Sequence, residues 1–488
     1  RSQNYINVFD PTTKFMRGRF RNTWFAPFDP YEVNFNYTEA NSWQYSFYVP
    51  HDITGFMNLL GGKDQLEKQL DNLFIADDKT SGREQADITG LIGQYAHGNE
   101  PSHHMAYLYN FVNKPYKTQE KTRQILTELY TNSPDGISGN EDCGQMSAWY
   151  IFSSLGFYPV TPGSNQYIIG SPLFDKATIH LEDGKSFTVK AKNNSLKNKY
   201  IKNVQLNNKA YPYSYLKHSA IVNGGNLVFE MTDRPTNWGT SDDFIPSTEI
   251  KDHKIIPAPF IKKGDIVFKG STLVELACAD KTADVFFRLG LEGVYKKYTE
   301  PFTVDQFINL SVYAQNGNKK SAVISTDFYK KDPNLKIQLY TEYENQYNAG
   351  GNDALIDGIL GTEDFRTGTW QGYSDTDVHA IVDLGKVKQI NNVKISFLRD
   401  QRSWIFLPKD LKIVTSLDGV NFKNYKDRKF KSPTNTDDIK IETIDFSKST
   451  KARYIKVMAK NYGDVPKWHI GAPFDGKAWI FVDEIQIK

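Results

Sequence analysis

Near residue 156 the spacing of apolar residues changes from helical to alternating, and the change divides what the chain can build. Upstream, "KDQLEKQLDNLF" (63–74) sets Leu66, Leu70, Leu73 and Phe74 on one helical face, and "PSHHMAYLYNFV" (101–112) does the same with His104, Tyr107, Leu108 and Phe111. Gly156 followed by Pro159 closes the last helix of this pattern. Several antiparallel helices joined by loops with polar motifs predict a helical bundle or toroid over 1–165. Downstream, short runs such as "ATIHL", "SFTVKA", "YIKNVQL" and "NLVFEMT", parted by Asn-, Gly- and Asp-rich turns, predict antiparallel strands over 166–250. The Pro- and Lys-bearing stretch "HKIIPAPFIKKGD" marks a linker. Beyond it, "STLVELACA", "ADVFFRLG" and "INLSVYAQ" predict a small all-β unit of Ig-like size over 256–332, and a last β domain runs over 336–488. This division suits 488 residues, too many for one ordinary core.

Charge narrows the partners. The net charge is +2 and no Lys/Arg block occurs, so nothing marks a nucleic-acid partner or an anionic membrane surface. No apolar run approaches the roughly 20 residues of a transmembrane span. Cys143 and Cys278 lie far apart, which argues against a disulfide framework. Aromatic residues make up 14% of the chain, and their flat apolar faces suit the stacking of sugar rings as well as the filling of cores.

The motif "GNEDCGQMSAWY" (139–150) sets Glu141 and Asp142 directly before a helical pattern in which Met146, Trp149, Tyr150 and Ser153 share a face. Asp142 with Gln145 three residues on reads as a capping box, or the carboxylates serve chemistry. In "GNEP" Asn99 and Glu100 either cap the helix that Pro101 begins or supply oxygen ligands to a hard cation. His103 and His104 are adjacent, do not share a helix face and make a poor joint metal pair. His104 heads an apolar stripe and reads as a core or pocket histidine, with His103 free to hydrogen-bond a sugar.

"FAPFDP" (25–30), "YTEANSWQYSFYVPHDITGFMNLLGG" (37–62), "GNEPSHHMAYLYNF" (98–111) and "GNEDCGQMSAWYIFSSLGFYPVTPGSNQYIIGSPLF" (139–174) closely resemble glycoside hydrolase family 92, the calcium-dependent exo-α-mannosidases. The resemblance continues through "YIKNVQLNNKAY" and "PTNWG" and covers roughly residues 1–240. It implies an inverting mechanism with an acid and a water-activating base on opposite sides of the glycosidic bond. On the matching motifs Glu39 is the acid and Asp142 the base. Asn140 stands where relatives often carry a supporting carboxylate. Asn99 and Glu100 become the ligands of Ca2+, and Glu141, His103 and His104 face the substrate. The sequon Asn36-Tyr37-Thr38 lies beside these residues, where a glycan would obstruct the site, so a bacterial source fits better than a glycosylating secretory pathway.

In the last domain "ALIDGILGTEDFRTGTWQG", "AIVDLGKVKQINNVKI", "LKIVTSLDGVNF" and "ARYIKVMAKN" resemble a discoidin-type fold, also used by carbohydrate-binding modules of family 32. That resemblance implies a structural calcium near Asp357, Thr362 and Glu484. Trp370, Tyr373, Arg402, Trp404, Trp468 and Trp479 are candidates for sugar-contacting loop tips. The middle unit weakly resembles the small domain at the C-terminus of chitobiase-type hexosaminidases and reads best as a spacer.

The expected architecture is therefore multidomain α+β: part of an (α/α)6 toroid, an attached antiparallel β region, an Ig-like β spacer and a discoidin-like β-sandwich. The expected activity is removal of terminal mannose from glycans such as N-glycans or mannans, in a secreted, periplasmic or bacterial cell-surface protein. The resemblance also implies a preceding segment of the same protein that completes the pocket. A non-catalytic glycan-binding protein that keeps the motifs is the alternative.

Overall fold

The computed structural model describes residues 1–474 and 476–488. The chain divides into two compact units. One comprises 1–19, 25–257 and 279–281, the other 20–24, 258–278 and 282–488.

In the first unit the helical segments are α1 (Ser42–Ser46), α2 (Ile53–Leu60), α3 (Lys63–Ile75), α4 (Pro115–Glu128) and α5 (Gln145–Leu155). Asp52 starts α2 by accepting from the Gly55 N–H, and it also accepts from the Tyr5 hydroxyl at 2.9 Å. Along α3 the predicted face is the buried one, with Leu66, Leu70, Leu73 and Phe74 all in the core. The second predicted stripe is corrected. Met105–Val112 is a 3-10 segment whose eight residues are all buried, so it has no solvent face to set a period. The helical expectation also fails before Ser42, where turns, a 3-10 segment and two-residue strands hold the chain. After α5 come two sheets. In the larger, the strand order is 176–180, 186–192, 225–232, 200–206 and 209–210, all antiparallel except the parallel pair 186–192 with 225–232.

In the second unit the terminal sheet contains β1 (Lys336–Leu339), β2 (Gln371–Ser374), β3 (Val378–Arg399), β4 (Asp410–Ser416), β5 (Lys423–Lys429), β6 (Lys440–Ala459) and β7 (Trp479–Ile487). They pair in the order β2-β7-β3-β6-β4-β5, with β1 also on β3. Register breaks between Asp383 and Lys388 and between Ile390 and Asn392 bend the two long strands. The bent sheet encloses a core that includes Val382, Ile395, Phe397, Leu411 and Ile455. Residues 258–330 form smaller sheets around Val274, Leu310 and Phe328.

Candidate active site

The candidate catalytic residues sit on three turns of the first unit, and hydrogen bonds tie these turns together. Glu39 precedes Ala40, whose φ of +56° is a left-handed conformation that reverses the chain before Asn41 caps α1. The Ala40 N–H donates to Gln85 Oε1 at 2.8 Å, which fixes the turn from outside. Asn99 does not cap the segment that Pro101 begins. Its Nδ2 donates to the Glu39 carboxylate at 2.8 Å. Glu100 is exposed and makes no ion pair among the described residues.

The third turn carries Asn140 and Asp142. Asn140 Nδ2 donates to Asp87 Oδ1 at 2.8 Å, so the carboxylate absent at position 140 is met by one from another loop. Cys143 and Gly144 both have positive φ, and α5 starts immediately after them. The capping assignment moves by one residue. Glu141, not Asp142, accepts from the Ser147 N–H at 2.9 Å and from the Ser147 hydroxyl, while Gln145 donates to the Asn140 carbonyl. The Asp142 carboxylate is exposed and takes no hydrogen bond among the described residues. Its oxygens remain available to water.

Two glycines bring the turns into contact. A Cβ on Gly139 would lie 2.3 Å from Gly98 Cα, so the "GNEP" and "GNED" turns touch backbone to backbone. Gln85 closes the circuit. It receives the Ala40 N–H and reaches Asp87 at 3.4 Å, and Asp87 in turn holds Asn140. Sequence reasoning missed Gln85 and Asp87 because "SGREQADITG" has no period. Gln44 of α1 was also missed. It is buried, and neither atom of its amide has a partner among the described residues.

Behind this layer is a buried aromatic and imidazole stack. His97 bridges the Tyr95 and Tyr130 hydroxyls at 2.8 and 2.7 Å. His103 Nε2 donates to the His97 carbonyl and His104 Nε2 to the Phe47 carbonyl. Burial lowers the pKa of both His103 and His104 to about 4, so both rings are neutral at neutral pH. His104 is a core histidine, as its place on the apolar stripe implies. His103 commits Nε2 to the His97 carbonyl, which leaves Nδ1 as the ring atom for a sugar contact.

For a cation, Asn99 Oδ1 and the Glu100 carboxylate are hard oxygen donors of the kind calcium prefers. The Asn99 orientation toward Glu39 leaves Oδ1 unspent. Among the described residues no three His, Cys, Asp or Glu side chains form a closed metal cage. Water and substrate oxygens would have to complete the shell.

In the second unit Asp357, Asp483 and Glu484 are buried within one network. Asp357 accepts from the Ile359 N–H, Glu484 from the Gly358 N–H and Asp483 from the Gly361 N–H. Burial raises their pKa values to about 7, 6 and 9 respectively. Arg21 faces Asp357 at 3.9 Å. Such an excess of buried carboxylate is the charge pattern a calcium ion would satisfy. Thr362 is exposed, with its hydroxyl turned to the Asp364 carbonyl and the Thr367 hydroxyl, and it directly follows Gly361, whose N–H donates to Asp483. The tryptophans divide. Trp370 is fully buried and donates to the Thr362 carbonyl, and Tyr373 is also core, so neither is a loop tip. Trp404 is half-buried edge-on to His469, and Trp468 is 38% exposed.

Residues 1–233 match the model of the glycosyl hydrolase family 92 catalytic domain, and residues 337–473 match that of the F5/8 type C domain. The chain thus carries a segment of each kind. A curated protein of Arthroderma benhamiae, described as an uncharacterized secreted glycosidase, is 30% identical over 211 residues, which are 43% of this chain and 25% of that protein. Among solved structures, a family GH92 alpha-mannosidase from Bacteroides thetaiotaomicron in complex with mannoimidazole is 43% identical, with a TM-score of 0.48 over 50% of this chain and 33% of that one. A family GH92 inverting mannosidase from Bacteroides thetaiotaomicron is 37% identical, with a TM-score of 0.46 over 51% and 35%. The chain therefore spans about a quarter of the curated relative and about a third of the solved ones.

Proposed function

We propose that the first unit serves a calcium-dependent, inverting exo-α-mannosidase acting on terminal α-mannosides of glycans. The observation that supports this most is the pairing of two differently treated carboxylates. Glu39 is held by the Asn99 amide, whereas the Asp142 carboxylate, across the Gly98–Gly139 contact, is exposed and takes no hydrogen bond among the described residues. Glu39 is the general acid that protonates the departing glycosidic oxygen. Asp142 is the general base that takes a proton from the attacking water, and Asn140, steadied by Asp87, orients that water through its free Oδ1. Asn99 and Glu100 would hold the calcium ion, which when bound supplies positive charge that aligns sugar hydroxyls. The second unit binds glycan and, being tethered to the first, raises the effective concentration of substrate.

The test compares Glu39→Gln with Asp142→Asn on α-mannosides with activated aryl and with sugar leaving groups. Loss of proton donation makes Glu39→Gln far more damaging on the sugar leaving group, while Asp142→Asn is equally damaging on both. The same leaving-group dependence in both variants refutes the assignment. No mannose release by the chain from any mannobiose, with calcium present, favours a glycan-binding protein.

A further inference from the structure

The second unit contains a cleft of about 410 Å³ that the mannosidase reading does not use. It lies where the inward-facing rows of the terminal strands change character. On β3, Ile395 and Phe397 are core, and the next residue on that face is Arg399. Their partners on β6 are Ile444, Glu442 and Lys440 in turn. On β5, Arg428 stands opposite the fully buried Leu411 and shares its face. Alternation alone calls for apolar side chains at these positions, and the sequence places charges there.

Packing of long stems explains part of this, since Arg and Lys cover apolar edges with their methylenes. It does not explain the heads. Arg399 Nε is buried without an acceptor, and the residue makes no ion pair among the described residues. Glu442, the carboxylate that lines the cleft, is already taken by Arg428 at 3.1 Å and Lys440 at 2.9 Å. Lys429 and Lys431 on the rim have no carboxylate partner among the described residues. Positive charge thus exceeds negative at a partly enclosed site with a buried donor left open. Arg428 is preset, its guanidinium lying 4.9 Å from the Phe430 ring centre. Leu407 and Phe430 add apolar wall and Thr434 adds a hydroxyl. An oxyanion alone would leave these surfaces uncovered, whereas a sugar ring carrying an oxyanion would cover both.

We propose that this cleft binds an oxyanion-bearing sugar, a phosphorylated, sulfated or uronic unit of a glycan, with Arg399 and Arg428 gripping the anionic substituent. The proposal does not depend on hydrolysis by the first unit. Guanidinium groups suit the task because their forked donors match carboxylate, sulfate and phosphate oxygens.

Calorimetric titration of the full chain with mannose 6-phosphate, glucuronate, mannose and inorganic phosphate tests it. Both anionic sugars should bind at least about tenfold more tightly than mannose, and the preference should shrink about threefold or more between roughly 50 and 300 mM salt. Arg399→Gln should weaken mannose 6-phosphate binding about tenfold. Lys431→Gln, at an exposed residue whose loss leaves folding intact, should weaken it about threefold, and Lys197→Gln in the first unit should leave it unchanged. Equal binding of mannose and mannose 6-phosphate overturns the proposal, as does indifference to both the Arg399 and Lys431 changes. Inorganic phosphate binding as tightly as mannose 6-phosphate would mark a free-anion site and overturn the glycan assignment. Stronger retention by vesicles containing phosphatidylserine than by either anionic sugar would assign the cleft to a membrane surface instead.

Discussion

One amide donor separates the two carboxylates of the first unit. Asn99 Nδ2 is committed to Glu39 and Asn140 Nδ2 to Asp87, so each turn carries an amide that orients a carboxylate. On the proposed mechanism Asp87 positions Asn140, and Asp87→Ala should lower kcat about ten- to a hundredfold at nearly unchanged KM, because a slight misplacement of the proposed water-orienting amide is felt mainly in the transition state. Asp87→Asn should recover part of the rate by offering Asn140 a side-chain oxygen. A matched rise in KM would assign Asp87 to substrate binding instead. Glu39, Asp142 and Asn99 were legible as motif residues, but their partners were not. A motif records which residues recur side by side along the chain, while Gln85 and Asp87 reach the site from a loop with neither period nor cap. Trp370 shows the converse limit: an indole beside loop-like residues looks like a sugar platform until its burial is known.

At the scale of elements, helix α3 was legible because one face meets solvent and the other the core. Met105–Val112 was not, because burial on all sides erases the period. The turn pair at Gly98 and Gly139 explains why these loops need no helix of their own to stay aligned. Gly139→Ala would force the two backbones apart, since its Cβ has no room beside Gly98 Cα. Mannose release should fall at least about a hundredfold, and thermal melting should fall as well, because Gly98 and its neighbours His97 and Asn99 are buried. The histidines set a pH signature on the same unit. Their pKa values of about 4 lie below the usual 6.5, so the unfolded chain binds more protons between those pH values. The stability they contribute is complete above about pH 6.5 and is lost as pH falls toward 4, at up to about 1.4 kcal/mol per pH unit for each ring. His104→Gln, which can still donate to the Phe47 carbonyl, should flatten that slope in pH-dependent thermal melts. An unchanged slope would count against the buried neutral ring.

Across the whole molecule, calcium should act in two places with separable readouts. Chelation should abolish mannose release and calcium should restore it, through Asn99 and Glu100. In the second unit the ion should raise thermal stability by about 2.7 kcal/mol at a hundredfold excess over its Kd, and Glu484→Gln should reduce this gain without touching hydrolysis. Activity that survives exhaustive chelation, or a calcium-dependent melting shift that Glu484→Gln leaves intact, contradicts the respective assignment. The alternating strands of the terminal sheet were legible because the sheet buries one face of each. The membership of residues 20–24 in the second unit was not, because these five positions lie far from the rest of their unit in sequence.

Those five residues restrict how the second unit can be inherited. Arg21 faces Asp357, Asn22 donates to the Ser325 carbonyl, and Trp24 packs on Phe260. Gene rearrangement commonly moves domains as contiguous cassettes. A cut anywhere between the two halves of this chain would carry away some 230 residues and leave Arg21, Asn22 and Trp24 in the donor. The recipient protein would inherit an acidic cluster with Lys331 but without Arg21, and a Phe260 ring without the Trp24 ring that packs on it. The two halves are therefore expected to have descended together, and a transplanted terminal half should persist only where a replacement for that short segment arose with it.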